Sequence, residues 1–289
     1  MTPEVRSEPA SAPLSTAGVT APAESAWAVT PAVLNGALAG SLRTSGVISP
    51  FGSVNAQSSD GNSNYNALSI DLKKRFARNF QFLASYTWSH SIDDSSDLQT
   101  LLLPQDNQNF RAEKANSLFD QRHRFVFSAV VTSPANWRSG DGLHKFLADF
   151  TVAPIVEISS GRPFNILSNQ DTNNDQSNQT DRPNVAADGT LIVPAPFTSG
   201  SLGRNAGVTH SYKSLDMRLM RTIRMGERVK LNLIAEGFNL FNRFNEGAVS
   251  GFIDDVNAFK QRAGNGAYYS RPTASFDPRQ FQFGLKLSF

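Results

Sequence analysis

The feature that most constrains this chain is a period of two, repeated in seven segments whose connections alternate strictly between long and short. Period-two alternation of apolar and polar side chains marks strands with two unlike faces. In segment 65–76, Leu68, Ile70, Leu72 and Phe76 share one face and Ser69, Asp71 and Lys73 the other. In 80–90, Phe80, Phe82, Ala84, Tyr86 and Trp88 alternate with Gln81, Leu83, Ser85, Thr87 and Ser89. The remaining five segments are predicted at 122–132, 146–158, 214–221, 228–237 and 279–289. The fourth is read with Phe146, Ala148, Phe150, Val152, Val156 and Ile158 on one face.

A soluble sandwich also alternates, so the connections must decide. They run long (38–64), short (77–79), long (91–121), short (133–145), long (160–213), short (222–227) and long (238–278). Transmembrane barrels show this rhythm, with long extracellular loops and short periplasmic turns, whereas structureless loops above about 12–15 residues are uncommon in compact soluble domains. The predicted fold is all-β: an antiparallel transmembrane β-barrel, partial, holding about 7–8 strands of a larger barrel. With Phe289 at the periplasmic rim, every long connection falls outside and every short one inside. Tyr86 and Trp88 then lie at the outer interface, and Phe76, Phe80 and Phe289 at the inner one, where aromatic girdles belong.

Composition fits this reading. No stretch approaches the roughly 20 apolar residues of a membrane-spanning helix, but a barrel strand needs only about 9–11 residues with every second one apolar. The net charge of +2 offers no concentrated basic face, so nucleic acid is not an expected partner. There are no cysteines, which excludes disulfides and thiolate metal sites. Residues 1–34 are rich in Pro, Ala, Ser and Thr and are expected to be disordered, leaving 35–289 as the barrel portion. This N-terminus lacks the basic and apolar regions of an export signal. Seven strands cannot close a bacterial barrel, which has an even number, and the expectation is therefore a fragment of a larger one.

Few residues suggest chemistry. The last strand, with Phe281, Phe283, Leu285, Leu287 and Phe289 alternating apolar to its end, is similar to the signal read by the barrel-assembly machinery. Physically, it offers an edge that another strand can pair with. Asp171, Asn173, Asp175 and Asp181 place oxygen donors at close intervals in a long loop, a pattern that suits Ca²⁺, although Gln176 stands where an EF-hand has glycine and Arg182 where it has its bidentate Glu. The competing reading is a polar, solvated loop. Asp93, Asp94 and Asp97 read as a solvated acidic loop before a cation site, and His90, His123, His144 and His210 lack ligand spacing. Arg122, Arg124, Arg218 and Arg221, with Asp216 and Glu236, are expected to line the lumen as paired charges. No nucleophile, phosphate-cradling or metalloprotease motif occurs; no enzymatic activity and no other cofactor are expected.

Nine stretches, in order, resemble the barrel end of TonB-dependent transporters of the Oar-like group: NYNALSIDLKKRF (64–76), ASYTWSHSIDDSSD (84–97), FDQRHRFVFS (119–128), SSGRPFNI (159–166), DTNNDQSNQTDRPN (171–184), LGRN (202–205), LDMRLMRTIRM (215–225), AEGFNLFNRFN (235–245) and RQFQFGLKLSF (279–289). The resemblance covers about residues 65–289. It implies an outer-membrane location, lipid as the surrounding partner and a transport role. The family's signal peptide, TonB box, plug and first strands have no counterpart here, so TonB is a partner only through the absent plug region, and the chain alone is not expected to transport. The alternative is a stand-alone small barrel that displays surface loops in a structural or adhesive role.

Overall fold

The computed structural model describes residues 61–95, 103–106, 109–174, 179–226 and 228–289, together with the strand backbone at 15–19 and 54–58. Strands β1 (Ser15–Val19) and β2 (Val54–Ser58) pair antiparallel with each other. The rest of the segment expected to be disordered lies outside the described residues. Seven long strands then form one antiparallel sheet: β3 (Ser63–Ala77), β4 (Phe80–Asp93), β6 (His123–Thr132), β7 (Phe150–Ser159), β12 (Tyr212–Met225), β13 (Val229–Phe238) and β16 (Gln280–Ser288). Each pairs with its neighbour in sequence, so the sheet is a meander with β3 and β16 at its open edges. A two-residue strand, β5 (Ala115–Asn116), adds to the end of β4. The loops carry three small ladders. Strand β8 (Pro163–Phe164) pairs with β11 (Gly207–Val208), β9 (Asn184–Val185) with β10 (Leu191–Ile192), and β14 (Glu246–Val249) with β15 (Pro272–Ser275).

The alternation produces this sheet because its register is coherent. Leu68 lies opposite Trp88, Ile70 opposite Tyr86 and Leu72 opposite Ala84. Tyr86 then meets Phe125, which meets Ile158. At the other side, Leu219 meets Ala235 and Ala235 meets Phe283, while Leu231 meets Leu287. One apolar row runs across all seven strands on one face, through Ala77, Phe80, Val131, Val152, Leu219, Ala235 and Phe283. The opposite face carries Ser69, Thr87, Arg124, Glu157, Asp216, Arg218, Asn232, Glu236 and Lys286. A one-residue slip anywhere would exchange the two faces, so the pattern itself specifies the pairing.

The apolar face is uncovered. Phe283 and Leu285 are 78% and 77% exposed, and Leu72 is 62% exposed although it stands mid-strand. A soluble sandwich buries such residues against a second sheet about 10 Å away. Among the described residues no layer lies over this face. The solvent it suits is hydrocarbon, and the architecture is an outer-membrane β-barrel sheet that remains open, a partial barrel. Among the described residues, six of the eight buried apolar residues lie in the long loops, while Ala129 stands in β6 and Ala148 in the connection before β7.

Turn chemistry sets the short end. Arg78 and Asn79 both adopt positive φ, 52° and 68°, the two-residue turn whose twist matches a hairpin. Gly226, at φ 83°, opens the turn between β12 and β13. The connection before β7 departs from expectation. The strand was expected from residue 146, but Leu143–Leu147 forms a short helix, α1, and β7 begins at Phe150. Asp149 at φ 61° reverses the chain between them, so Phe146 and Ala148 are not in the strand. Residues 133–149 are therefore a folded rim element.

Candidate functional site

The three long connections described, following β4, β7 and β13, pack together at one end of the sheet. Apolar residues of the second and third are irregularly spaced but converge: Ile166, Leu191, Leu202, Ile253, Val256 and Tyr268 form one buried cluster, flanked by Phe164 and Ala206. Ile253 and Val256 come from a second helix, α2 (Ile253–Phe259). The helix is clamped to β10 by Asn257, whose Oδ1 accepts from Leu191 N (3.0 Å) and whose Nδ2 donates to Leu191 O (2.7 Å). Gly207 is required where it stands, since a Cβ there would overlap the Phe164 ring. Full burial stabilises each large apolar side chain by about 1.5–3 kcal/mol. The loops thus form a folded cap with its own core.

A buried charge network ties this cap to the sheet. Glu113 is 5% exposed and Arg182 3% exposed, and they make a bidentate pair: Nη1 to Oε2 at 2.8 Å and Nη2 to Oε1 at 2.9 Å. Gln105 N also donates to Glu113 Oε1 (3.1 Å), and Arg182 Nε donates to Leu202 O (2.9 Å). Arg204 crosses back to the sheet. Its Nε donates to Glu113 O (2.7 Å), and its Nη2 donates to Asp93 O (2.7 Å) and to the Asp93 carboxylate. Asn205 Nδ2 donates to Asn116 O (2.7 Å), and Asp120 Oδ1 accepts from Ser91 N (2.7 Å). One network therefore joins the end of β4 to the first and second long loops.

Several sequence-level expectations change here. Asp93 is neither solvated nor part of an acidic cluster open to cations; it is 6% exposed and answers Arg204. Asp94 accepts from Asn62 N at 2.7 Å, and Asp97 lies outside the described residues. Asp181 is fully buried, with Oδ2 accepting from Thr172 N, Thr172 Oγ1 (3.0 Å) and Asn173 N (3.2 Å), while Oδ1 has no partner among the described residues. Burial pushes the Asp181 carboxyl above its ordinary value against these bonds, and nearby Asp171 pushes the same way. Asn173 Nδ2 donates to Gln105 O at 2.5 Å. Asp175, the fourth oxygen donor of the suggested Ca²⁺ set, lies outside the described residues, and among the described residues no three His, Asp or Glu side chains group to hold a metal.

The histidines are dispersed. His210 Nδ1 pairs with Glu246 at 2.7 Å and its ring stacks on Tyr269 at 4.0 Å, whereas His123 bonds the Tyr86 hydroxyl at 2.8 Å. On the polar face, Arg124 reaches Glu157 at 3.0 Å and Arg218 reaches Glu236 at 3.5 Å, and Asp216 accepts from Ser214 Oγ at 2.8 Å. Arg122 instead pairs with Asp120 beside the loops at 3.2 Å. Arg221, which its charge groups with these lumen residues, is not on this face. It lies opposite Leu233, on the apolar face. The terminal strand presents Phe281, Phe283, Leu285, Leu287 and Phe289 together on the apolar face, 56–96% exposed. Glu113 was not singled out by sequence, because nothing local distinguishes it from a solvated glutamate.

The profile of a family described as "Outer membrane beta barrel domain" matches residues 15–282. Among solved structures, the chain is similar to the outer membrane transporter YddB from Escherichia coli, at 11% identity and a TM-score of 0.42, over 82% of this chain and 26% of that one. The chain thus spans about a quarter of that transporter's length. No curated protein matches it.

Proposed function

The chain belongs to the family of the outer membrane beta barrel domain, and from that premise we propose that it is the C-terminal part of the barrel of a TonB-dependent transporter, Oar-like in type. It works together with further strands and a plug, has no enzymatic activity, and is delivered by the barrel-assembly machinery through Phe281, Phe283, Leu285, Leu287 and Phe289. TonB meets the transporter through the plug. Any Ca²⁺ would sit in the loop holding Asp171, Asn173, Asp175 and Asp181, as a structural ion.

The observation that carries this reading is the combination of an open seven-strand amphipathic sheet with a cap held by buried ion pairs. An open edge in lipid leaves backbone groups unpaired, each at a cost of several kcal/mol, which supports a reading in which further strands pair with β3 and β16. A rigid cap over one end suits a gated passage that admits selected solutes. The nine ordered motifs add the family type.

The test is isolation of the protein from outer membranes of its source with an antibody to the cap, followed by intact-mass spectrometry. The proposal expects strands and a plug beyond these 289 residues, in the same polypeptide or a co-isolated one. Isolation of a stable, monomeric 289-residue barrel alone would overturn it in favour of a stand-alone barrel that displays its loops.

A further inference from the structure

Arg221 interrupts the apolar face of β12. The register sets Met217, Leu219, Arg221, Ile223 and Met225 on that face, with Arg221 between Phe150 of β7 and Leu233 of β13. Both neighbours are apolar, and Leu233 is followed across the sheet by Leu285 of β16. The guanidinium therefore projects on the side that faces lipid. Its height matters. Phe150 is the first residue of β7, so immediately beside Arg221 the sheet gives way to the rim element 133–149.

That element is built to receive the cation. Phe146 of α1 and Phe150 flank Arg221, their ring centroids 5.2 Å and 5.1 Å from its Cζ. The two rings lie 6.4 Å apart at 49°, forming an open frame. Aromatic faces hold a guanidinium by cation–π attraction while leaving its five N–H donors in the plane free. Among the described residues no carboxylate pairs with Arg221. The nearby acid is already engaged: Asp149 accepts from Arg138 Nε at 2.7 Å and lies 3.8 Å from Arg224. The rim element also exposes Leu143 (69%) and Phe146 (59%), apolar side chains suited to the lipid interface.

An unneutralised guanidinium at this level meets the phosphodiesters of the leaflet on the short-turn side. The planar fork of arginine matches two phosphate oxygens at once. We propose that Arg221, framed by Phe146 and Phe150, binds the phosphate of an anionic glycerophospholipid. The site anchors the short-turn rim in its leaflet and fixes the depth at which β12 sits. Arg218, on the opposite face and paired with Glu236, takes no part.

The test uses the closed barrel, this chain with the strands that pair with β3 and β16, in phosphatidylcholine bilayers, with spin-labelled phosphatidylglycerol or spin-labelled phosphatidylcholine as probe. Wild-type protein is expected to retain the anionic probe about fivefold more strongly, the effect of one basic residue at an anionic surface. Arg221→Gln should remove the preference, and Arg218→Gln should keep it. A wild type without preference, or a preference untouched by Arg221→Gln, would overturn the proposal. A second readout uses Trp137 of the same rim element, 5.3 Å from His144, as the one tryptophan left in a Trp27→Phe/Trp88→Phe background. Headgroup-proximal brominated phosphatidylglycerol should quench it more than the phosphatidylcholine analogue, and equal quenching would contradict the site.

Discussion

Replacing Glu113 with Ala should loosen the cap while leaving the sheet intact. Glu113 faces both Arg182, through a bidentate contact of 2.8 and 2.9 Å, and Arg204, at 3.9 Å. All three side chains are less than a tenth exposed. Removing one partner of a buried pair leaves an uncompensated charge and typically costs about 3–5 kcal/mol. At about 1.4 kcal/mol per tenfold change, opening of the cap should become roughly 10²- to 10³-fold more frequent, or more. Hydrogen exchange in micelles reads this directly. The amides of Leu167, Leu191 and Leu202, hydrogen-bonded within the cap, should lose protection. Those of Leu219 and Leu233, in the ladder of β12 and β13, should not. The double variant Glu113→Ala/Arg182→Ala should recover part of the loss, because the cycle removes the stranded charge. A cap as protected as wild type in Glu113→Ala, or equal loss in cap and sheet, would refute the claim that the network holds the loops as a separate unit.

Two further outcomes follow from the same geometry. Phe283→Arg, two residues farther from the short-turn rim than the row of Arg221, should cost about 2–4 kcal/mol in the hydrocarbon and Gln282→Arg almost nothing, measured by reversible folding into vesicles within a closed barrel, because the two positions occupy opposite faces. The raised Asp181 carboxyl makes the cap pH-dependent in a defined direction: Oδ2 is committed to three donors, so the proton falls on the unpartnered Oδ1, and the folded state favours the protonated form. Its contribution is complete below the ordinary carboxylate value of 3.8 and is lost as pH rises through the raised one, so cap protection corrected for intrinsic exchange should fall over that window, and Asp181→Asn should flatten the profile.

The sheet was legible in the sequence because its physics is local and periodic. Leu285 and Leu287 declare their face by parity alone, and one strand's parity dictates its neighbour's register. Legibility failed where parity was interrupted or not applied. Phe146 and Ala148 keep step with Phe150, but Asp149 turns through positive φ between them, which alternation cannot reveal. Arg221 was grouped with Arg218 by charge, although counting from Leu219 places it on the opposite face. The fifth strand was also expected to end at 221, whereas it continues to Met225. The cap was the least legible part. Glu113 and Arg182 are 69 residues apart, and Ile166, Leu191, Leu202 and Ile253 share no period. Arg182 and Arg204 did fall within the family-like motifs, but those motifs carry no sign of which carboxylates they meet.

The central claim, that the sheet crosses a membrane with one face to lipid and the other to water, is tested most directly on β13, which is paired on both sides. Single nitroxide labels placed from 230 to 236 within the closed barrel, folded into vesicles, would be read for collision with oxygen and with a water-soluble nickel chelate. The structure predicts a period of two, with 231, 233 and 235 favouring oxygen and 230, 232, 234 and 236 favouring the chelate. Equal accessibility along the strand, or a protein that carries these labels in solution without lipid or detergent, would contradict it.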